Sequence, residues 1–277
     1  YAINVNKMAE PVIGNFSILP DKKVYFASDF HLGAPDPVSS RQRERLILSW
    51  LNSIKTDASA LFLLGDLFDF WFEYKKVVPK GYVRFLARLG EFADNGIPVF
   101  IFTGNHDLWM NAYFTEELGI PVFRKPVSFC VNNIPFHVGH GDGLGPGDHH
   151  YKRIKQVFTN PLCQKLFRMI HPDIGVQLAN YLSGSSRKKN NQSDDGFKTK
   201  EEEWIWQYCR EEEDRRHHQY YVFGHRHIPL NLEVNAHSQY INLGEWVNHR
   251  TFASFNGRKL VLNKYQGERL PLPSMTQ

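Results

Sequence analysis

Five short segments between residues 29 and 227 most constrain the fold of this chain. Each carries carboxylate, amide or imidazole side chains, most of them next to a glycine, and follows an apolar run typical of a buried β-strand. Since the carboxyl ends of parallel strands meet at one edge of a sheet, we expect the five segments to converge there. They are Asp29-Phe30-His31, Gly65-Asp66, Gly104-Asn105-His106-Asp107, Gly139-His140-Gly141-Asp142 and Gly224-His225-Arg226-His227.

The first part of the chain alternates between two kinds of pattern. Apolar runs at about 24–28, 60–64 and 98–103 have the length and composition of strands, and the stretches at about 41–54 and 80–95 are typical of helices. This alternation predicts an α/β protein with a parallel sheet and right-handed crossovers.

Later in the chain the pattern becomes that of antiparallel strands. Asn132-Asn133 and Asn256-Gly257 each separate two short apolar runs, and each dipeptide is typical of a two-residue β-hairpin turn. We therefore expect mixed sheets, in which parallel strands continue into antiparallel ones.

The composition excludes several classes of protein. Of 277 residues, 42% are hydrophobic and 22% charged, as in globular domains. The net charge of +4 gives no indication of nucleic-acid binding, and it is compatible with an anionic substrate or membrane surface. Cys130, Cys163 and Cys209 lack the spacing of a disulfide framework or zinc ribbon and fit a reducing cytoplasm. We find no spanning segment or export signal and expect a cytoplasmic protein.

A region of different character interrupts the core. We predict a core at 20–145 and 217–270, a helical cap inserted at 146–216, and an N-terminal extension at 1–19. Within the cap, leucines and isoleucines recur at four-residue spacing, which predicts two helices broken by a proline. Two interpretations of this apolar stripe stay open, namely core packing and a groove for an acyl chain. The stripe consists of Leu162, Leu166, Ile170, Ile174, Leu178 and Leu182.

The rest of the cap is polar. Residues 183–196 are rich in serine, asparagine and lysine and predict a loop, and a charged helix should follow at about 198–215. The glutamate clusters at 201–203 and 211–213 are most simply interpreted as solvent-facing.

The donor residues are those that a pair of divalent cations requires. Two cations roughly 3.5–4 Å apart activate a water and clamp the oxygens of a phosphorus centre. Asp66 is the natural bridging carboxylate, Asp29 and His31 can serve one ion, and Asn105 can serve the other. His140, His225 and His227 complete the set. Mixed imidazole and carboxylate ligands favour Mn²⁺, Fe or Zn²⁺ over Mg²⁺, and we expect Mn²⁺.

The five segments resemble the signature of the calcineurin-like metallophosphoesterases. The resemblance implies a four-layer αββα sandwich. It also implies a catalytic role for His106, with Asp107 orienting it. It further implies one metal held by Asp29, His31, Asp66 and His227, and a second held by Asp66, Asn105, His140 and His225.

A narrower resemblance is to the UDP-2,3-diacylglucosamine pyrophosphatases of lipid A synthesis. It rests on the segment 65–71, the segment 140–144 with Asp148 and Tyr151 after it, and the helical insertion. It implies cleavage to UMP and 2,3-diacylglucosamine 1-phosphate on the cytoplasmic face of the inner membrane, with the insertion holding the acyl chains. Asp148, Tyr151 and Arg187 would then contact the substrate.

Two other functions stay open at this level. The chain could be a phosphoesterase that acts on another phosphodiester, a nucleotide or a phosphoprotein. It could also be a non-catalytic scaffold of the same fold, which would be expected to lack some of the metal ligands or His106, and all of these residues are present.

Overall fold

Two β-sheets carry the segments that the sequence singles out. The structure is a computed structural model that describes residues 12–146, 149–178, 197 and 199–268. The strands are β1 (Lys23–Ala27), β2 (Ala58–Leu64), β3 (Val99–Phe102), β4 (Val122–Phe123), β5 (Val127–Val131), β6 (Ile134–Val138), β7 (Tyr220–Phe223), β8 (Pro229–Asn235), β9 (Ser238–Leu243), β10 (Thr251–Phe255) and β11 (Leu260–Lys264). The helices are α1 (Pro37–Ile54), α2 (Val83–Asp94), α3 (Tyr113–Leu118), α4 (His149–Thr159), α5 (Pro161–Phe167), α6 (172–178) and α7 (Trp204–Arg215).

Both sheets are mixed, as predicted. The first has the order β11-β10-β1-β2-β3-β4. Strands β1 to β4 run parallel to one another, β10 is antiparallel to β1, and β11 is antiparallel to β10. The second has the order β5-β6-β7-β9-β8 and is parallel at β6, β7 and β9. The two predicted hairpins are confirmed as β5–β6 and β10–β11. Asn132 and Asn133 both have positive φ, as a tight hairpin turn requires.

Local sequence explains where the first helix begins. The side chain of Asp36 accepts hydrogen bonds from the backbone N–H groups of Val38 and Ser39, and Pro37 occupies the first helical position. This cap supplies acceptors for amides that have no partner within the helix. Helix α1 therefore starts four residues earlier than the apolar periodicity from Arg41 suggests.

Three apolar clusters separate four layers. The aromatic rings of Phe26, Phe62 and Phe136 stack between the two sheets. A second cluster, which includes Trp50 and Phe85, lies between the first sheet and helices α1 and α2. The third cluster packs α7 on the second sheet. Each buried aromatic side chain contributes on the order of 2–3 kcal/mol through the hydrophobic effect. The αββα sandwich expected from the sequence is confirmed.

Helix α7 contacts the core although it falls in the predicted cap. Ile205 and Cys209 are fully buried against the second sheet. The expectation that the glutamate clusters face solvent is wrong in part, because Glu203 is buried and its carboxylate pairs with Nε of Arg226 at 3.0 Å. Glu213 likewise accepts a hydrogen bond from the hydroxyl of Tyr221 at 2.6 Å. The division at residue 216 stays a prediction.

The apolar stripe of the insertion faces outward. Of its described members, Leu162, Leu166, Ile174 and Leu178 are exposed, so core packing is not the explanation for these positions, whereas Ile170 is partly buried. Leu182 lies outside the described residues. Met169, which lies between α5 and α6, is exposed as well, with 79% of its surface accessible. Among the described helices, none is long and apolar enough to cross a bilayer.

Candidate metal centre

All five sequence segments meet at one edge of the sandwich. Three follow β1, β2 and β3, which are neighbours in the first sheet, and two follow β6 and β7, which are neighbours in the second. Because neighbouring strands within each group run parallel, their carboxyl ends lie side by side. The packing of the two sheets then brings both groups of loops together.

The backbone of the donor residues is unusual. Five of them have φ between 44° and 71°, in the left-handed region that non-glycine residues seldom occupy. Strained backbone of this kind persists where the surrounding structure holds it, and such residues cluster at functional sites. The five are Asp29, His31, Asp66, His225 and His227.

Two glycines allow the segments to approach one another. A Cβ atom on Gly104 would overlap the carboxylate and the backbone nitrogen of Asp66. A Cβ on Gly224 would overlap the carboxylate of Asp29 and the side chain of Ser28. The glycines beside the donors are therefore required by the close contact between loops from different strands.

The first cluster of donors contains two carboxylates and two imidazoles. Nε2 of His31 lies 3.1 Å from Nε2 of His227, which in turn lies 3.2 Å from Oδ1 of Asp29. Nε2 of His31 is also 3.9 Å from Oδ2 of Asp66. One ligand atom from each of the four residues lies within 4.8 Å of the others, so a single cation can contact all four.

The second cluster shares Asp66 with the first. Oδ2 of Asp66 lies 3.4 Å from Nε2 of His140. Oδ1 of Asn105 lies 3.3 Å from Nε2 of His140 and 2.9 Å from Nδ1 of His225. One carboxylate therefore faces both donor groups, as a bridging ligand must.

Hydrogen bonding and burial prepare these groups for ligation. Nδ1 of His140 donates to the carbonyl of Leu64 at 2.7 Å, which directs Nε2 towards Asp66. Burial alone would raise the pKa of Asp66, but the neighbouring imidazoles, His140 first, hold it well below its usual value. Burial first, and the neighbouring His140 second, lower the pKa of His225 to about 4. An ionised carboxylate and a neutral imidazole are the forms that bind metals.

These residues fit divalent cations. Asp29 and Asp66 are buried carboxylates, and burying two negative charges together is costly unless positive charge compensates them. Imidazole nitrogens and carboxylate oxygens are also the usual ligands of Mn, Fe and Zn. The donor set therefore suits the divalent metal chemistry expected from the sequence.

His106 lies beside the first cluster, but Asp107 does not orient it as we expected. Asp107 instead accepts hydrogen bonds from the backbone amides of Gly104 and Leu67, at 2.7 and 2.8 Å, and so ties the β2 and β3 loops together. Asp69 contacts the imidazole of His106. Its carbonyl lies 3.1 Å, and its Oδ1 3.7 Å, from Nδ1 of His106.

Sequence reasoning missed Asp69, although a signal for it exists. Oδ1 of this buried carboxylate is also 3.9 Å from Nδ1 of His31. The position three residues after Asp66, in the run Gly65-Asp66-Leu67-Phe68-Asp69, places a second acid next to the same loop. That spacing could have identified it.

Asp148, Tyr151 and Arg187, the predicted substrate contacts, remain predictions. Asp148 and Arg187 lie outside the described residues. Tyr151 belongs to α4, and the position of its side chain is not part of the description.

Comparison with known proteins agrees with the geometry of the site. The family described as Calcineurin-like phosphoesterase matches residues 22–229. A UDP-2,3-diacylglucosamine hydrolase of Porphyromonas gingivalis is 33% identical over 88% of this chain and 98% of its own length. A protein of the same name from Actinobacillus succinogenes is 27% identical over 81% of this chain and 92% of its own. Among solved structures, Yfce, a phosphoesterase from E. coli, is 16% identical over 84% of this chain and 87% of that one, with a TM-score of 0.40.

The matched region contains every donor of the two clusters, from Asp29 to His227. Divalent metal ions are therefore implied both by the family and by the chemistry of the residues. The chain belongs to the calcineurin-like phosphoesterase family and is a metal-dependent hydrolase.

Proposed function

We propose that this chain hydrolyses the pyrophosphate of UDP-2,3-diacylglucosamine to UMP and 2,3-diacylglucosamine 1-phosphate, a reaction of lipid A synthesis. The observation that carries the proposal is the similarity to the Porphyromonas gingivalis hydrolase, which extends over 98% of that protein. The shared position of Asp66 between two donor clusters supports the two-metal chemistry that such a cleavage needs.

In this proposal the two clusters hold one cation each. Asp29, His31, Asp66 and His227 form the first site, and Asp66, Asn105, His140 and His225 form the second. We propose Mn²⁺ as the metal, with Fe or Zn²⁺ as alternatives that the same ligands accept. When bound, the cations make a water nucleophilic near neutral pH and offset negative charge on the phosphate oxygens.

The reaction exchanges one phosphorus–oxygen bond for another. The oxygen of water bonds to the α-phosphorus, and the bond from that phosphorus to the oxygen shared with the β-phosphorus breaks. The electron pair of the broken bond stays with the departing sugar 1-phosphate. The leaving group is a weakly basic phosphate, so it depends less on proton donation than an alkoxide would.

We propose that His106 acts at the leaving oxygen. Its Nδ1 donates to the carbonyl of Asp69, which helps to fix the ring. Its ring centroid is 5.0 Å from that of His31, so it lies next to the first metal site. We propose that His106 stabilises negative charge on the departing phosphate, and that Asp107 positions the loop that carries it.

The lipid part of the substrate gives the insertion a role. Asp148, Tyr151 and Arg187 remain our proposed contacts to the nucleotide-linked sugar. The exposed apolar side chains of α5 and α6 suit acyl chains or the surface of a bilayer, and Lys165 in the last turn of α5 suits anionic headgroups. We propose that the protein acts in the cytoplasm, attached peripherally to the inner membrane.

A comparison of three substrates tests this function. Purified protein with Mn²⁺ should cleave UDP-2,3-diacylglucosamine, and it should cleave the unacylated nucleotide sugar and bis(4-nitrophenyl) phosphate far more slowly. The product should be UMP, detected by chromatography. A preference for the simple diester, or equal rates with and without acyl chains, would contradict the proposal and favour another phosphoester as substrate.

A further inference from the structure

The backbone of the first donor segment is held by the loops around it. The amide of Asp29 donates to the carbonyl of Gly65 at 3.0 Å, and the amide of His31 donates to the carbonyl of Asp66 at 2.9 Å. The carbonyl of Asp29 accepts from the amide of Trp246 at 3.1 Å. Because a buried carbonyl without a donor costs free energy, the carbonyls that follow in the segment require a partner as well.

Arg43 of helix α1 supplies that partner. Its Nε donates to the carbonyl of Phe30 at 2.6 Å, and its Nη2 donates to the carbonyls of His31 and Ala34, each at 2.5 Å. The residue is buried, with 7% of its surface exposed. A guanidinium presents its donors in a rigid plane, so these three bonds fix the positions of the carbonyls relative to one another.

The contacts of Arg43 match the turn of the chain at His31. In an extended strand successive carbonyls point in opposite directions, and one edge of a guanidinium could not bond to both. His31 has a φ of 44°, and this turn allows the carbonyls of Phe30 and His31 to accept from the same edge, which Nε and Nη2 form. Left-handed backbone at a non-glycine residue persists when the surrounding structure holds it. Arg43 therefore stabilises the conformation from which the imidazole of His31 projects.

Helix α1 gives Arg43 a fixed base. Leu46 and Ile47 lie three and four residues further on, hence on the same face of the helix, and both are buried in the cluster between α1 and the first sheet. Ser40, on the same helix, contacts the donor segment too, since its Oγ accepts from the amide of Gly33 at 2.7 Å. The segment is thus tied to a helix that is itself packed on the core.

The first metal site depends on this segment more than the second does. Asp29 and His31, two of the four proposed ligands of the first site, lie on it. The second site takes Asn105, His140 and His225 from other loops, and the carboxylate that both sites share follows β2. A change at Arg43 should therefore affect the two sites unequally.

We propose that Arg43 is a positioning residue that sets the affinity of the first metal site, because it fixes the backbone that carries Asp29 and His31. It acts through main-chain carbonyls and contributes no ligand of its own. The inference rests on the two metal sites of the proposed function, and it is independent of the identity of the substrate.

Metal titrations of Arg43→Lys test this inference. Lysine keeps the charge, but its single ammonium group cannot reproduce the planar contacts to three carbonyls. In calorimetry with Mn²⁺ we expect one ion to bind roughly 10 to 100 times more weakly, a usual loss when a group behind a metal ligand is changed, and the other to bind as in the wild type. Arg41→Lys, at an exposed position of the same helix, is the matched control and should bind both ions normally.

Two further backgrounds identify the site that is weakened. His225→Ala removes a ligand of the second site and leaves the first, and addition of Arg43→Lys should weaken the binding of the remaining Mn²⁺. His227→Ala leaves the second site, and there Arg43→Lys should not change Mn²⁺ affinity. Equal losses in the two backgrounds would show that Arg43 only supports the fold, and unchanged Mn²⁺ affinity in Arg43→Lys would also overturn the inference.

A second variant covers the case in which Arg43→Lys does not fold. Urea unfolding of the metal-free protein measures the stability of each variant. Ser40→Ala removes the other contact from α1 to the donor segment and should weaken the same site by about fivefold, as the loss of one neutral hydrogen bond implies. Mn²⁺ affinity equal to that of the wild type in Ser40→Ala would then contradict support of the segment by this helix.

The inference and the proposed function fail in different ways. If Arg43→Lys weakens the first site alone but the wild type does not cleave UDP-2,3-diacylglucosamine, the role of Arg43 stands and the proposed substrate is wrong. If the wild type cleaves that substrate and Arg43→Lys binds Mn²⁺ normally, the function stands and the role of Arg43 is wrong.

Discussion

The backbone carbonyl of Asp69 lies 3.1 Å from Nδ1 of His106. The carboxylate of the same residue lies 3.9 Å from Nδ1 of His31, on the side of that ring away from Asp29 and Asp66. One buried acid thus touches a proposed metal ligand and the proposed catalytic histidine. At 3.9 Å the carboxylate acts on the imidazole of His31 through its charge and not through a hydrogen bond.

Asp69→Asn should lower turnover. The amide keeps the size of the side chain but removes the charge that orients His31 and His106, so we expect a loss of roughly 10- to 100-fold in kcat or in metal affinity. Steady-state kinetics over a range of Mn²⁺ concentrations would separate these effects. Asp94→Asn, at an exposed acid on the last turn of α2, is the matched control. Wild-type kinetics in Asp69→Asn would show that the carboxylate of Asp69 contributes neither to turnover nor to metal binding.

Asp66→Ala should abolish turnover and the binding of both metals together. Its carboxylate faces both donor clusters, so its removal takes a ligand from each. His227→Ala removes a ligand from the first cluster alone and should leave the second ion bound. Elemental analysis of dialysed protein gives the metal content. Two ions per chain in Asp66→Ala would reject the assignment of the bridge.

His106→Ala should reduce turnover by about a hundredfold, a usual contribution for a group that acts on a leaving oxygen. Metal content should not change, because the donor atoms of the two proposed sites come from other residues. His106 also lies close to His31 and Asp69, in a group that could hold a cation, so the metal analysis tests this assignment directly. The same elemental analysis and kinetic assay apply. A parallel loss of metal would instead make His106 a ligand or a support for the ligands.

A buried histidine away from the metals predicts sensitivity to acid. Burial first, and then His218 and Arg216, lower the pKa of His137 from 6.5 to about 3. Between these values the unfolded chain takes up a proton that the folded chain does not. The free energy of unfolding should therefore fall as pH drops from 6.5 towards 3, by up to about 1.4 kcal/mol per pH unit from this residue.

Urea unfolding of chelator-treated protein at pH 7 and pH 5.5 measures this slope. His137→Gln should flatten it, while His171→Gln, at an exposed position on the insertion, should leave it unchanged. An unaltered slope in His137→Gln would mean that other groups cause the acid sensitivity.

The outward apolar side chains of the insertion should promote membrane binding. We expect Leu166→Gln combined with Met169→Gln to lower sedimentation with anionic phospholipid vesicles, because both exposed side chains lose their apolar character. The control pair is Val83→Gln with Val261→Gln, two exposed apolar positions on the core. Equal sedimentation of both pairs would show that this surface does not contact lipid.

Much of the fold could be predicted from the sequence, because local patterns report local structure. The apolar runs before Asp29 and Asp66 identified strands, and Asn132-Asn133 identified a hairpin, since few backbone conformations suit such sequences. Helix limits were less accurate. The start of α1 depends on the cap at Asp36, and α7 begins at Trp204 and not near residue 198.

The errors concern contacts between distant segments. Glu203 looked solvent-facing because it lies in a run of acids, yet Arg226 from the β7 loop pairs with it. Asp107 looked like the partner of His106 because it is adjacent in sequence. Its carboxylate turns instead to backbone amides of the β2 and β3 loops, and Asp69 takes the expected place.

The sequence by itself determined the family, the position of each donor segment after a strand, and the types of ligand with Asp66 as the bridge, because each of these is specified by short stretches of residues. Only the tertiary structure decided that Glu203 is buried, that Asp69 lies beside His106, and that the stripe on α5 and α6 is largely exposed. The physical reason is that distances between side chains depend on how sheets and helices pack, and residues far apart in sequence determine that packing together.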